Sequence, residues 1–352
     1  MKKLILLLTL IGFLNACKQS VKKEDAKIFE RAPNSFSLVI HGGAGGVTKE
    51  NHNEQQQKAY SKALQEALDA GYSVLENGGS SLDAVQAAVN IMEDSPLFNA
   101  GRGAVFNSEG KQEMDASIMD GKTLNCGAVT GVNHIKNPIL AARIVMDSSK
   151  HVLLSGKEVE SMMAQYGLEM VDSSYFFTDK RYNQLKRIQG KDIIQLDHSS
   201  ASLFEEGLID DHKYGTVGAV AIDKNGNIAA GTSTGGMTNK KHGRIGDSPI
   251  IGAGNYANNL TCGISATGTG EYFMRTVAAH EVSNLIQYKG LNPNEALHEV
   301  LFNQIGKLGG SGGMILIDNK GDIYWDFNSK GMFRGFKKSS GENVVEMFEM
   351  SK

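Results

Sequence analysis

The spacing of apolar and polar residues predicts several amphipathic helices along the chain. An apolar face that recurs every three to four residues predicts a helix over 54–76, which Asn77-Gly-Gly ends, and a second helix that Ser81 caps. The same periodicity predicts three more helices, at 138–146, 270–285 and 292–308. The segment 173–211 is polar and poorly periodic, which predicts an internal linker.

Short runs rich in β-branched residues predict strands between these helices, at 37–41, 103–107, 111–119 and 125–132. One hairpin is predicted from 217–222 and 228–232, joined by the turn sequence Asp223-Lys-Asn-Gly, and another joins 314–318 to 323–325. Strands and helices are grouped rather than strictly alternating. This favours an α+β fold with a sheet-on-sheet core and helices outside it.

The first 17 residues have the pattern of an export signal. Met1-Lys-Lys is basic, and the apolar run 4–14 is too short to span a bilayer as a helix. Cys17 follows a small residue, as in bacterial lipoprotein signals, so the segment 1–17 is predicted to end in a lipidated Cys17; an ordinary cleaved signal is the alternative. With 18–35 as a polar tether, we expect a bacterial cell-envelope protein, lipid-anchored or periplasmic.

Composition narrows the class of protein further. The chain has 352 residues, 41% of them hydrophobic, which is enough to bury a substantial core. A net charge of −3 gives no electrostatic case for a nucleic-acid partner. Many of the 41 glycines stand in clusters, such as His41-Gly-Gly-Ala-Gly-Gly, which suit close backbone approach and loops that present N–H groups.

The start of the central hairpin offers a nucleophile. A threonine can attack a carbonyl when its own α-amino group, with a pKa near 8, acts as the base. For Thr216 this requires cleavage of the Gly215–Thr216 bond, and the small Gly215 lets the Thr216 hydroxyl reach the preceding carbonyl. Gly-Thr at a strand start is also common in ordinary hairpins, so this pair alone leaves both interpretations open.

Nine motifs favour the nucleophile over the ordinary hairpin. Over 36–336 they resemble the motifs of the plant-type L-asparaginase/isoaspartyl peptidase family and occur in the same order as in that family. They are Ile40-His-Gly-Gly-Ala-Gly, Pro96-Leu-Phe-Asn-Ala-Gly-Arg-Gly, Glu113-Met-Asp-Ala-Ser-Ile-Met-Asp-Gly, Lys136-Asn-Pro-Ile-Leu, Gly215-Thr-Val-Gly, Thr232-Ser-Thr-Gly-Gly, Gly243-Arg-Ile-Gly-Asp-Ser-Pro, Gly252-Ala-Gly-Asn-Tyr-Ala and Thr267-Gly-Thr-Gly-Glu. The resemblance implies an N-terminal nucleophile hydrolase with a four-layer αββα sandwich. It also implies one domain, 36–352, self-cleaved into an α chain 36–215 and a β chain 216–352, and a dimer of αβ units.

The resemblance implies roles in the reaction for four residues. Thr216 is expected to be the nucleophile and the new N-terminus, and Thr234 to orient its hydroxyl and amine. Thr267, through its hydroxyl, and Gly268, through its N–H, are expected to form the oxyanion hole. No cofactor is expected for the chemistry.

Four further residues are implied to hold the substrate. Arg244 is expected to bind the substrate α-carboxylate and Asp247 its α-amino group, with Gly270 in the same pocket and Asn99 near the scissile bond. Taken alone, Arg244 and Asp247, three residues apart, are better explained as a solvated ion pair. A structural Na⁺ site is implied through the backbone carbonyls of Met92, Glu93, Ser95, Phe98, Ala100 and Arg102.

The resulting hypothesis is hydrolysis of L-asparagine and β-aspartyl (isoaspartyl) dipeptides to L-aspartate, through a β-aspartyl ester on Thr216. One alternative is glycosylasparaginase, although that family usually has Asp-Thr-Ile-Gly where this chain has Gly215-Thr-Val-Gly. The other is an inactive surface lipoprotein that uses the fold for binding. His41 is expected to be structural, since this chemistry needs no imidazole.

Overall fold

Twelve strands form two β-sheets in the described part of the chain, residues 31–189 and 215–348 of a computed structural model. In chain order the strands are β1 (Ser37–Gly45), β2 (Met114–Asp120), β3 (Cys126–Val132), β4 (Leu153–Ser155), β5 (Val217–Ile222), β6 (Ile228–Thr234), β7 (Asn255–Ala257), β8 (Cys262–Gly268), β9 (Gly312–Asp318), β10 (Ile323–Phe327), β11 (Gly331–Lys338) and β12 (Asn343–Phe348). The larger sheet has eight strands in the order β12-β11-β1-β5-β6-β2-β3-β4. The smaller has four, in the order β10-β9-β8-β7, so the mixed α+β class predicted from sequence is confirmed.

Eight α-helices accompany the sheets within the described residues. They are α1 (Glu54–Glu76), α2 (Ser81–Asp94), α3 (Pro138–Ser148), α4 (Lys157–Gln165), α5 (Asp179–Gln189), α6 (Gly270–Thr276), α7 (Ala278–Lys289) and α8 (Pro293–His298). Asn53 and Gln56 begin α1 with a capping box, in which each side chain accepts from the other's backbone N–H. Across the two described ranges, none of these helices has both the length and the apolar character needed to cross a membrane.

The alternation of side chains along the strands divides the hydrophobic core. On β1, Leu38 and Ile40 pack in a cluster with the apolar faces of α1, α2 and α3, whereas Val39 between them packs in another cluster with residues of both sheets. On β9, Leu316 joins a third cluster with α6, α7 and α8, whereas Ile315 packs toward the cluster of Val39. The central strands are therefore buried on both faces.

The site lies where the central hairpin of the larger sheet meets the smaller sheet. Strand β5 pairs antiparallel with β1 on one side and with β6 on the other. The start of β5 lies opposite the end of β6, since Val217 is in register with Ser233. The residues that flank this hairpin end, Thr216 and Thr234, are consequently brought together by the sheet itself.

Three of the predicted elements are wrong. The segment 103–107 is not a strand. Gly101–Gly103 forms a 3₁₀ turn, and the apolar residues after it are buried but do not join either β-sheet. The helix predicted at 270–285 is interrupted at Val277, which has a φ of 50°. The predicted linker contains α5 in its first part, whereas residues 190–211 lie outside the described residues.

The helix α5 escaped prediction because its buried face is polar. Arg181, Gln184 and Leu185 are its buried residues, at the spacing of a helix face. The Arg181 Nε–H donates to the Gly103 carbonyl at 2.8 Å, and an Nη1–H of the same side chain donates to Gln184 Oε1 at 3.3 Å. A hydrophobic pattern cannot reveal a helix whose inner face is satisfied by hydrogen bonds.

Candidate active site

Thr216 lies between Gly215 and the first residue of β5, and only 8% of its surface is exposed. Its hydroxyl donates to Thr234 Oγ1 at 3.0 Å, and Thr234 Oγ1 also accepts from the Gly236 N–H at 3.0 Å. A hydroxyl held by a second hydroxyl in a buried position has a defined direction, which is what a nucleophile requires. The predicted pairing of Thr216 with Thr234 is thus present in the geometry.

Asn99 holds the bond that precedes Thr216. Its backbone N–H donates to the Gly215 carbonyl at 2.9 Å, and its side-chain amide donates to the Gly236 carbonyl at 2.7 Å. A β-carbon at position 215 would lie 2.5 Å from the Asn99 β-carbon, so only glycine fits at this approach. Asn99 is therefore adjacent to the predicted scissile bond, and its side chain is committed to the surrounding loops.

A small pocket opens beside the two threonines. It is lined by nine residues from the hairpin, the loop that follows it and the end of β8: Thr216, Thr234, Gly236, Met237, Arg244, Gly246, Asp247, Ser248 and Gly268. Five of the residues predicted from sequence thus meet here. Gly270 borders the same place, since a β-carbon there would lie 2.9 Å from Asp247 Oδ1 and 3.0 Å from Arg244 Nη2.

Arg244 does not form its ion pair with Asp247. Its Nε and Nη2 donate to the two carboxylate oxygens of Glu271 at 2.8 and 2.9 Å, a bidentate arrangement. Only 18% of the Arg244 side chain is exposed, so the guanidinium is held rigidly at the pocket wall. The simple Arg244–Asp247 ion pair considered from sequence is therefore not what the structure contains.

Asp247 presents an unsatisfied oxygen. The residue is 4% exposed, and its Oδ2 is buried without a hydrogen-bond partner among the described residues. Burial, only partly offset by the nearby charge of Arg244, raises the pKa of Asp247 to about 7. A buried carboxylate with a vacant acceptor would be stabilised by a cationic donor, such as an ammonium group.

Thr267 presents an unsatisfied hydroxyl near the end of β8. The residue is fully buried, and its Oγ1 has no hydrogen-bond partner among the described residues. Gly268, the next residue, lines the pocket, whereas Thr267 is absent from its lining. A free hydroxyl beside a pocket-lining backbone matches the donor pair expected of an oxyanion hole.

Comparison with known proteins decides the family. A family model described as asparaginase matches residues 34–346. The isoaspartyl peptidase of Salmonella typhimurium is 47% identical over 303 residues, which cover 86% of this chain and 95% of that protein. The isoaspartyl peptidase of Escherichia coli is 48% identical over 299 residues, covering 85% and 92%, and the probable isoaspartyl peptidase/L-asparaginase 2 of Arabidopsis thaliana is 39% identical over 327 residues, covering 89% and 99%.

This chain belongs to the asparaginase family. The family resemblance inferred from the nine motifs is thereby confirmed. Cys17 and the predicted signal segment 1–17 lie outside the described residues, as does most of the predicted tether.

The segment predicted to bind sodium in this asparaginase-family chain runs from Met92, in the last turn of α2, to Arg102 and contains Asn99. A β-carbon at Gly101 would lie 2.3 Å from the Glu93 carbonyl oxygen, and one at Gly103 would lie 1.9 Å from that of Phe98. The absence of a side chain at these glycines permits the close approach of both carbonyls, and carbonyl oxygens are ligands that suit a hard cation. The guanidinium of Arg102 lies 5.7 Å from the Tyr175 ring centre.

Side chains alone would not bind a metal here. Within residues 31–189 and 215–348, no group of three or more His, Cys, Asp or Glu residues could hold an ion.

Sequence reasoning missed two partners in the asparaginase-family site. Glu271, the bidentate partner of Arg244, stands at the end of the motif Thr267-Gly-Thr-Gly-Glu, and that position was the available clue. The buried Glu93 accepts from the Ser233 hydroxyl at 2.6 Å, next to Thr234. No sequence signal marks that contact, because 140 residues separate its partners.

Proposed function

We propose that this chain is an isoaspartyl peptidase/L-asparaginase, which hydrolyses β-aspartyl dipeptides and L-asparagine to L-aspartate. The relatives at 47% and 48% identity carry the name isoaspartyl peptidase. The observation that carries the proposal is the hydroxyl pair of Thr216 and Thr234, 3.0 Å apart, beside a pocket walled by Arg244 and Asp247. It combines a directed nucleophile with one anchor for each charge of an aspartyl group.

Maturation begins at the Gly215–Thr216 bond. Thr216 Oγ1 attacks the Gly215 carbonyl carbon, whose oxygen already accepts the Asn99 N–H at 2.9 Å. The carbon–nitrogen bond breaks as the ester forms, and the Thr216 nitrogen takes up the proton from the hydroxyl. Water then hydrolyses the ester, which leaves the α chain 36–215 with a terminal carboxylate and the β chain 216–352 with a free amine.

That amine is the base for substrate hydrolysis. It accepts the Thr216 hydroxyl proton as Oγ1 attacks the β-carbonyl of the substrate, and Thr234 keeps the hydroxyl aligned. The Thr267 hydroxyl and the Gly268 N–H receive the developing oxyanion, and each such donor contributes roughly 3–4 kcal/mol to transition-state stability. The protonated leaving amine departs, water cleaves the β-aspartyl ester, and L-aspartate is released.

Arg244 and Asp247 select the aspartyl group. Arg244 binds the α-carboxylate and Asp247 accepts from the α-ammonium, so the β-carbonyl is the group directed at Thr216. Ordinary α-linked aspartyl peptides lack a free α-carboxylate on that residue and are not expected to bind. The leaving group extends away from both anchors, so its identity is less restricted.

Membership of the asparaginase family supports three inferences about the layers of the fold, the oligomer and a bound ion. We infer that the three hydrophobic clusters lie between the four layers of an αββα sandwich. We also infer that αβ units pair as dimers. A structural Na⁺ is held by the backbone carbonyls of Met92, Glu93, Ser95, Phe98, Ala100 and Arg102. When bound, such an ion would stabilise the loop that presents Asn99. We also infer a cell-envelope location, through lipidation of Cys17.

The glycosylasparaginase alternative conflicts with the packing at position 215. An aspartate there would begin with a β-carbon 2.5 Å from that of Asn99, so the loop would have to move. The inactive binding protein is disfavoured because Thr216 retains its hydroxyl partner Thr234. Neither alternative is favoured by a specific contact.

Two measurements test the proposal. Denaturing electrophoresis of purified protein should show two chains, and the matured protein should cleave L-asparagine and β-aspartyl-leucine but not α-aspartyl-leucine. Turnover of N-acetylglucosaminyl-asparagine alone would support the glycosylasparaginase alternative. A single chain without activity on any of these substrates would support the binding protein.

A further inference from the structure

His41 is a fully buried histidine that the proposed mechanism does not use. It lies on β1, in register with Gly218 of β5. Its Nδ1 lies 3.1 Å from the Thr216 carbonyl oxygen, and its Nε2 lies 2.8 Å from Ser265 Oγ on β8. The imidazole therefore bridges the proposed nucleophile in the larger sheet and a strand of the smaller sheet.

The contacts determine which nitrogen carries the proton. A carbonyl oxygen can only accept, so Nδ1 of His41 donates to Thr216, and Nε2 of the neutral ring accepts from the Ser265 hydroxyl. Burial, only partly offset by the bond to the Thr216 carbonyl, lowers the pKa of His41 to about 3, so the ring is neutral near pH 7. Ser265 Oγ also lies 2.8 Å from Thr232 Oγ1 and 3.3 Å from the Gly231 carbonyl oxygen, and the Thr232 hydroxyl donates to the Gly254 carbonyl at 3.2 Å.

Gly218 provides the space for this bridge. A β-carbon at position 218 would lie 2.0 Å from Ser265 Oγ and 2.4 Å from His41 Nε2. The φ of Gly218 is outside the left-handed region, so the backbone conformation does not require glycine. The absence of a side chain at this position is therefore what permits the contact between His41 and Ser265.

The Thr216 carbonyl is the part of the nucleophile that most needs a constraint. After cleavage Thr216 is attached to the chain only through this carbonyl. Rotation about its Cα–C bond would move the amine relative to the pocket. A hydrogen bond to the carbonyl fixes the peptide plane between Thr216 and Val217. The position of a reacting group to within a fraction of an ångström strongly affects rate.

We propose that His41 is a positioning residue for Thr216, which orients the nucleophile through its carbonyl and ties it, through Ser265, to the strand that carries the oxyanion hole. Ser265 lies two residues before Thr267 on β8, so one hydrogen-bonded chain sets the distance between the attacking group and the group that receives the oxyanion. The inference rests on the proposed role of Thr216 and assigns its alignment to a residue outside the substrate pocket.

A matched pair of substitutions isolates the donor to Thr216. In His41→Asn the side-chain N–H can occupy the place of Nδ1 and still donate to the Thr216 carbonyl. In His41→Gln the amide oxygen can occupy the place of Nε2 and accept from Ser265, while the donor to Thr216 is lost. Both variants have similar polarity, so they separate the donor from general effects on the core.

The readout is kcat per active site, with sites counted as the amount of matured β chain whose N-terminal residue is Thr216. His41→Gln should lower kcat about ten- to a hundredfold with KM within about twofold, since Arg244 and Asp247 still bind the substrate. His41→Asn should retain kcat within about threefold of the unchanged enzyme. A purely structural histidine would instead lower the number of active sites and leave kcat per site unchanged.

The outcomes distinguish this inference from the proposed function. Unchanged kcat per site in His41→Gln, or equal losses in both variants, would overturn the positioning role. If His41→Gln cannot be recovered folded, Ser265→Ala decides: at least a threefold loss in kcat per site supports the role, and no loss overturns it. Hydrolysis by Thr216→Ala would instead refute the proposed function itself.

Discussion

The pH dependence of kcat/KM should reveal the ionisation of Asp247. In the empty pocket this carboxyl group has a pKa of about 7, whereas it must be ionised to bind the substrate ammonium. The Thr216 amine, with a pKa near 8, must also be neutral to act as base. Two groups must therefore lose a proton before the free enzyme is competent.

The magnitude follows from these two values. At pH 6 about one Asp247 in ten is ionised and about one amine in a hundred is neutral, so kcat/KM should be about a thousandfold below its plateau. If the amine alone controlled the reaction, the loss would be about a hundredfold. In the bound complex the substrate ammonium keeps Asp247 ionised, so kcat should follow one ionisation only.

The assay is the release of leucine from β-aspartyl-leucine by the matured enzyme between pH 5 and 9. A logarithmic plot of kcat/KM should rise with a slope of 2 below pH 7 and a slope of 1 between about pH 7 and 8. Enzyme held at pH 5 and assayed at pH 8 controls for unfolding. A slope of 1 down to pH 5 would refute the assigned role of Asp247.

Stability gives an independent check on the same group. The folded pKa of about 7 exceeds the ordinary aspartate pKa of 3.8, so between these pH values the folded state binds one proton more than the unfolded state. Stability of the empty enzyme should therefore fall as pH rises from about 4 to 7, with roughly 4 kcal/mol from Asp247 at 1.36 kcal/mol per unit. Asp247→Asn should lose this contribution in denaturant titrations at several pH values, and an unchanged pH dependence would contradict it.

Four further substitutions test the remaining roles. Thr216→Ala should run as a single chain on denaturing gels and should have no activity. Cleavage of that variant at the same bond would refute self-processing. Thr267→Val should lower kcat about a hundred- to a thousandfold, whereas a near-normal kcat would remove it from the oxyanion hole. Arg244→Ala should lower kcat/KM for L-asparagine and β-aspartyl-leucine by the same factor, and a loss confined to one substrate would argue against a shared carboxylate anchor. Cys17→Ser should move the protein from the membrane to the soluble fraction of its host, while an unmodified Cys17 in mass spectra of the native protein would refute lipidation.

Much of the candidate site could be predicted because its elements are local in sequence. The hairpin 217–232 is encoded by two short strands around a turn sequence, and this places Thr216 beside Thr234 without knowledge of the rest of the fold. Arg244 and Asp247 likewise share one loop and one pocket. Motif order supplied their expected roles, because the nine motifs together specify a family.

Elements with an unusual inner face could not be predicted in this way. The helix α5 buries an arginine and a glutamine, so apolar periodicity does not mark it. The interruption at Val277 leaves the apolar pattern on both sides intact, so the sequence resembles one continuous helix. Hydrophobic patterning indicates which residues are buried, but it does not show which hydrogen-bond partners the buried polar groups have.

The sequence by itself determined the family, the hairpin and the residues expected to act. Only the tertiary structure decided which partners those residues have: Glu271 rather than Asp247 for Arg244, the Asn99 backbone for Gly215, and His41 for the Thr216 carbonyl. His41 and Ser265 are 224 residues apart, and their contact exists because two sheets face each other across Gly218. Side-chain alternation specifies that a strand face is buried, but the partner it meets depends on how distant segments pack.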